Sequence, residues 1–264
     1  MRGGRLSSLS IDGKELLVGP PSPDDRSIRW GCFLMAPWPG RLANGRFTWR
    51  ERAIQLPRTH GRHAIHGLLW GRPWNVEAVF ATTASLVCEL PRDEWPMGGR
   101  VRQMFTLTPS SLIQDAVIAA DDPMPVALGW HPWFRRRGDV ALRVDADAVL
   151  STRRMLPVGG LTPVDGTSRD LRAGPILGRR RLDDVYVGVR RAPIVSWPDL
   201  TLRIETEPEV STVVVYTPRE ALCVEPQTAW PNALGHDRRA AVAAGARFLA
   251  RGQSLRASMM LTWG

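Results

Sequence analysis

Short segments that alternate apolar and polar residues, cut about every ten residues by proline or glycine, constrain the fold of this chain most. Leu142, Val144, Ala146 and Ala148 alternate with Arg143, Asp145 and Asp147, and Leu255, Ala257, Met259 and Leu261 repeat the pattern near the C-terminal end. Val210 to Tyr216 is a β-branched run that breaks at Thr217-Pro218-Arg219-Glu220 and resumes as Ala221-Leu222-Cys223-Val224. Successive side chains of a strand point to opposite faces, so a period of two buries one face and wets the other. With 22 prolines and 24 glycines supplying turn signals, the spacing predicts an all-β sandwich or barrel. Helical periodicity is confined to the alanine-rich stretch Arg238 to Arg247, which Gly245 interrupts. No internal repeat, linker or low-complexity tract divides the sequence, so residues 1–264 are expected to form a single domain.

A hydrophobic content of 44% supports an ordinary buried core. No apolar run approaches the length of a membrane-spanning helix, and no membrane partner is expected. Met1-Arg2-Gly3-Gly4-Arg5 is basic, but no apolar region follows it, so no secretory signal is expected. Cys32, Cys88 and Cys223 lie far apart, with neither metal-ligand nor redox spacing. They read as buried free thiols, which fits a cytoplasmic location. The formal charge of +9 is almost all arginine, since Lys14 is the only lysine. Arg135-Arg136-Arg137 and Arg179-Arg180-Arg181 are clusters that could face phosphates. Neither sits in a helix-turn-helix, finger or RNP-like context, so no nucleic-acid partner is expected.

Three places could carry chemistry. His60, His63 and His66 form an H-x2-H-x2-H run, but residues three apart in an extended segment point to opposite faces. They read as loop histidines, with at most one functional and no metal bound. His131 lies in Gly129-Trp130-His131-Pro132-Trp133-Phe134, where the following proline favours extended backbone. On its own it could be a core histidine among aromatics. Glu225 follows the apolar Leu222-Cys223-Val224 and precedes Pro226-Gln227-Thr228. A carboxylate ending a buried strand is costly unless it is paired or functional. Burial and neighbours would tune it for acid–base work.

Taken in order, the motifs resemble the aldose 1-epimerase (galactose mutarotase) family across essentially the whole chain. They are Pro37-Trp38-Pro39-Gly40-Arg41-Leu42 through Gly45-Arg46-Phe47; His66-Gly67-Leu68 with Trp74; the segment around His131; Leu182-Asp183-Asp184-Val185-Tyr186; and Tyr216-Thr217-Pro218 with Cys223 to Thr228. The resemblance implies a large twisted β-sandwich of the galactose mutarotase type, with antiparallel sheets and a concave sugar cleft. It implies interconversion of the α and β anomers of a free aldohexose or aldopentose, with Glu225 as general base and His131 as general acid. Arg41, His66 and Asp183 match sugar-binding positions, although the adjacent Asp184 could exchange roles with Asp183. Trp133 stands where the family usually has tyrosine, and Gly40 where it usually has asparagine. Trp38, Trp74, Trp133 and Trp230 are candidate platforms for a pyranose, with at most two expected to touch it. The reaction opens the C1–O5 bond and recloses it from the other face, so no cofactor is expected and an arginine would keep the glutamate ionised. The implied protein is a monomer or homodimer. Other readings are a hexose-6-phosphate 1-epimerase, a non-catalytic sugar-binding protein on the same fold, and a glycosidase. The turn Tyr216-Thr217-Pro218 and the residues after Glu225 resemble the free-sugar branch.

Overall fold

The computed structural model describes residues 3–22, 25 and 27–264. Two antiparallel sheets carry the architecture. One has seven strands: β1 (Cys32–Met35), β2 (Gly129–Arg135), β3 (Ala148–Arg153), β4 (Leu156–Pro163), β5 (Asp183–Val187), β6 (Thr212–Tyr216) and β7 (Ala221–Gln227). Their order across the sheet is β4-β3-β5-β6-β7-β2-β1. The other has eight strands, centred on Ser254–Trp263, Ser111–Ala119 and Arg100–Leu107.

Alternation along each strand assigns its two faces. On β7, Leu222 and Val224 enter the main core between the sheets, while Ala221, Cys223, Glu225 and Gln227 take the opposite face. On β2, Trp130 and Phe134 point into that core, leaving His131 and Trp133 on the same outer face as Glu225. From the eight-stranded sheet, Leu112, Ala116 and Ile118 meet Ala257, Met259 and Leu261 to close the core. The result is the all-β sandwich expected from the period-two pattern.

Three local expectations change. The alternating segment from Leu142 to Ala148 is not one strand: Ala141–Arg143 belongs to the eight-stranded sheet, and Ala148 begins β3 in the other. Val144 and Ala146 are buried in the crossing, so alternation there reports burial and not a single ladder. The outward Asp145 and Asp147 hold Arg190, and Asp147 also holds Arg172 at 3.0 Å. The helix covers only Arg238–Ala243, capped by the Asp237 carboxylate on the Ala240 N–H at 3.0 Å. It stops because Gly245 sits at φ +95°, where a Cβ would lie 2.0 Å from the Thr228 carbonyl oxygen. Glu225 does not end its strand, since pairing continues to Gln227.

The basic clusters serve the loops. Arg136 donates to the carbonyls of Gly178, Arg180 and Pro218, and Arg181 donates to that of Thr217. Arg137 pairs with Asp199 at 3.2 Å. The three cysteines are free and buried. No helix among the described residues is long and apolar enough to cross a membrane.

Candidate active site

The β2–β7 register pairs Trp133 with Cys223 and Gly129 with Gln227, which sets His131 directly across from Glu225. His131 Nε2 lies 3.3 Å from Glu225 Oε1, and each residue is only 3% exposed. The other carboxylate oxygen, Oε2, accepts a hydrogen bond from Gln227 Nε2 at 3.2 Å. One oxygen of the carboxylate is therefore hydrogen-bonded and the other faces His131 before anything enters the cleft.

The imidazole is held as firmly. Phe33 packs on one side with ring centroids 5.0 Å apart, and Trp133 stacks on it at 5.1 Å with planes 4° apart. His66 meets it edge-on at 4.9 Å. These contacts fix the ring orientation without a hydrogen bond to Nδ1, which has no partner among the described residues. His66 itself sits at φ +59°, with its N–H donating to the Gly40 carbonyl at 2.9 Å.

His66, His131, Trp133, Glu225 and Gln227 line a cleft that opens to solvent beside the outer face of the seven-stranded sheet. Arg41 stands in the wall on the short strand Arg41–Leu42, and its Nη1 donates to the Arg154 carbonyl at the tip of the β3–β4 hairpin. Asp183 opens β5 on the cleft side. Asp184, one residue on, turns to the opposite face and pairs with Arg169 at 2.8 Å. The ambiguity between the two aspartates thus resolves in favour of Asp183 as the cleft residue. Of the four candidate tryptophans, Trp133 lines the cleft, whereas Trp38 and Trp74 are buried in the core and Trp230, half-buried, packs against it. His60 lines the cleft with His66, while His63 accepts from the Asn44 N–H at 3.1 Å.

Electrostatics correct one expectation. Among the described residues no arginine is hydrogen-bonded to Glu225, so none keeps it ionised. Burial, followed by the nearby Asp183, pushes its carboxyl well above the usual carboxylate range. Burial, with His66 and Arg5 adding to it, holds His131 well below the usual imidazole range. Burial also lowers His66, to about 3. Asp183 stands at the open mouth of the cleft, yet restricted hydration raises its carboxyl against the pull of Arg41. In the empty cleft, desolvation thus favours the uncharged forms of both side chains.

His131, Cys223 and Glu225 present donor atoms within 4.8 Å of one another, a set that could in principle hold a metal. The chemistry is poorly matched to one. Burial holds the Cys223 thiol well above its ordinary value, so it stays protonated. The other two donors already face each other, and the thiol lies behind the cleft wall instead of lining it.

Gln227 is the residue that sequence reasoning missed. It lies in the motif around Glu225, but the resemblance assigns it no role. Its place two residues beyond Glu225 on one strand was the signal, because such residues share a face.

The two-sheet scaffold is the fold of galactose mutarotase-like proteins. A galactose mutarotase-like protein from Clostridium acetobutylicum superposes with a TM-score of 0.87 at 18% identity, covering 100% of this chain and 90% of that one. The profile of the aldose 1-epimerase family matches residues 1–262, and the chain belongs to that family. Among curated relatives, YihR of Escherichia coli K12 is 22% identical over 88% of this chain and 80% of its own length. Galactose mutarotase from Rattus norvegicus is 28% identical over 151 residues, which is 53% of this chain and 44% of the rat protein.

Proposed function

We propose that this protein interconverts the α and β anomers of a free aldohexose or aldopentose, using Glu225 as general base and His131 as general acid and needing no cofactor. The observation that carries the reading is the buried His131–Glu225 pair, 3.3 Å apart on the wall of an open cleft. O1 and O5 of a pyranose are bonded to the same carbon, so a base for the C1 hydroxyl and an acid for the ring oxygen must be neighbours. Glu225 removes the C1 hydroxyl proton while His131 protonates O5, and the C1–O5 bond opens to an aldehyde. Rotation about C1–C2 presents the other face, and the two groups exchange roles on closure. In the open-chain state Glu225 is protonated and His131 neutral, the charge distribution that desolvation favours. The cyclic sugar needs the same single proton on His131, and polar sugar groups entering the cleft supply the solvation that this ion pair lacks.

Arg41 donates to ring hydroxyls, Asp183 accepts from them, and His66 contacts the sugar from the neighbouring wall. Trp133 offers an apolar surface beside His131. Asp183→Asn is therefore expected to raise KM about five- to tenfold, the effect of one weakened charge-assisted hydrogen bond. Asp184→Asn should leave KM alone and cost at most about 1 kcal/mol through the loss of its partly exposed ion pair. Steady-state kinetics and thermal melts on both variants check this, and equal effects on KM would contradict the assignment.

The direct test follows anomer interconversion of glucose, galactose, arabinose, xylose and glucose-6-phosphate. A free aldose should give the highest kcat/KM, as the Tyr216-Thr217-Pro218 turn and the residues after Glu225 suggest. A clear preference for the phosphate, or no turnover of any aldose, would overturn the reading.

A further inference from the structure

Gln227 shares the cleft face of β7 with Glu225, and its side chain is fully buried. Nε2 donates to Glu225 Oε2 at 3.2 Å, while Oε1 has no partner among the described residues, although Gln227 lines the cleft. With Nε2 turned to Glu225, the amide oxygen points away from the carboxylate, the arrangement that an ionised general base requires. The fold makes room for this side chain. Gly129 lies opposite in the β2–β7 register, and a Cβ there would sit 3.0 Å from Gln227 Cγ. A bare, buried acceptor is costly, and a hydroxyl donor from a bound molecule would satisfy it.

We propose that Gln227 is the positioning residue of the general base and, through Oε1, an acceptor for a sugar hydroxyl. This deepens the mutarotase reading and rests on it. The N–H bond fixes the carboxylate plane, so that the remaining lone pairs of Glu225 face the C1 hydroxyl. The amide oxygen takes a ring hydroxyl and aligns the sugar on that base. One side chain thus couples binding to orientation, and the two effects separate in kinetics.

Gln227→Met keeps length and removes both donor and acceptor. The variant should lose about tenfold or more in kcat, because a misoriented base is inefficient. KM for D-glucose and D-galactose should rise about fivefold, the effect of one neutral hydrogen bond. The limb of the pH profile that reports Glu225 should move to higher pH, since the N–H bond favouring its ionised form is gone. A purely structural Gln227 would lower the melting temperature while kcat, KM and the pH limb of the folded variant stayed native, and that result overturns the proposal. Two readouts need no turnover: calorimetric titration with D-galactose for the acceptor, and a carbon-13 NMR titration of the Glu225 carboxyl for the donor. If the native protein turns over no aldose, the mutarotase reading fails on its own. Gln227 is then judged by these two measurements, and values unchanged in Gln227→Met reject it. Absence of any aldose binding to the native chain rejects the acceptor role outright.

Discussion

Glu225→Gln is expected to fold as the native chain does and to turn over at least about 10²-fold more slowly. Glutamine keeps the shape and can still hydrogen-bond a C1 hydroxyl, so affinity should suffer less than kcat. What disappears is the basic oxygen facing His131 Nε2. A structural carboxylate would behave differently. Among the described residues the side chain has no arginine partner, and burial raises its carboxyl well above the usual range, so its ionised form is disfavoured by the fold. A neutral isostere should therefore leave the melting temperature unchanged or raise it. A large loss of kcat with no loss of stability is the signature of a base. Near-native activity in folded Glu225→Gln would refute the mechanism. His131→Asn should depress turnover on the same scale.

The pH profile follows from the same two shifts. Burial moves Glu225 up and His131 down, so the proton that the pair shares is displaced from the imidazole toward the carboxyl. The working form carries one proton on the pair. The profile of kcat/KM should therefore be bell-shaped, falling when the pair gains a proton in acid and when it loses one in base. These limbs are macroscopic and belong to the pair, not to either residue. Glu225→Gln should leave a single limb in whatever activity remains, because one titrating partner is gone. A limb of the native profile within the ordinary histidine range would show instead that His131 titrates as an exposed imidazole.

The sequence revealed the sheets better than it revealed the electrostatics. Period two marked β6 and β7 and the strand Ser254–Trp263 because each has one face in the main core. It failed between Leu142 and Ala148, where residues are buried while the chain passes from one sheet to the other. The ordered motifs identified His66, His131, Asp183 and Glu225, all of which line one cleft. Which of Asp183 and Asp184 faces it depends on strand phase, which the register with β6 settles by pairing Asp183 with Tyr216. An arginine partner for Glu225 was a natural expectation in a chain with so many arginines. Arg41, Arg136, Arg172 and Arg190 instead serve carbonyls and aspartates elsewhere, and such pairings across long sequence separations leave no local trace. Gln227 was readable from strand phase, but a glutamine has no titrating group to draw attention to it.

The second large effect is expected from Gly67→Ala, which should lose about 2–4 kcal/mol of stability and disorder the position of His66. Gly67 lies at φ +75°, a conformation that L side chains rarely adopt, and a Cβ there would stand 1.9 Å from the Ala36 carbonyl oxygen. That oxygen is already engaged, accepting from the Leu68 N–H at 2.9 Å. The carbonyl belongs to backbone immediately after β1 and cannot swing away like a side chain, so the loop itself must shift by an ångström or more. His66, the preceding residue, occupies the left-handed region at φ +59° and meets His131 edge-on, so the shift reaches the site. Gly61→Ala separates the two contributions, because Gly61 has φ +59° and open space around its Cβ position. It should cost only the conformational part, about 1 kcal/mol. Chemical denaturation of both variants measures the difference, and sugar binding by Gly67→Ala reports on His66. Equal losses in the two variants would mean that backbone conformation alone accounts for the glycine. A greater loss in Gly67→Ala, with weakened binding, would show that the His66-Gly67 pair exists because only glycine lets the histidine strand end approach Ala36 closely enough to seat the imidazole in the cleft.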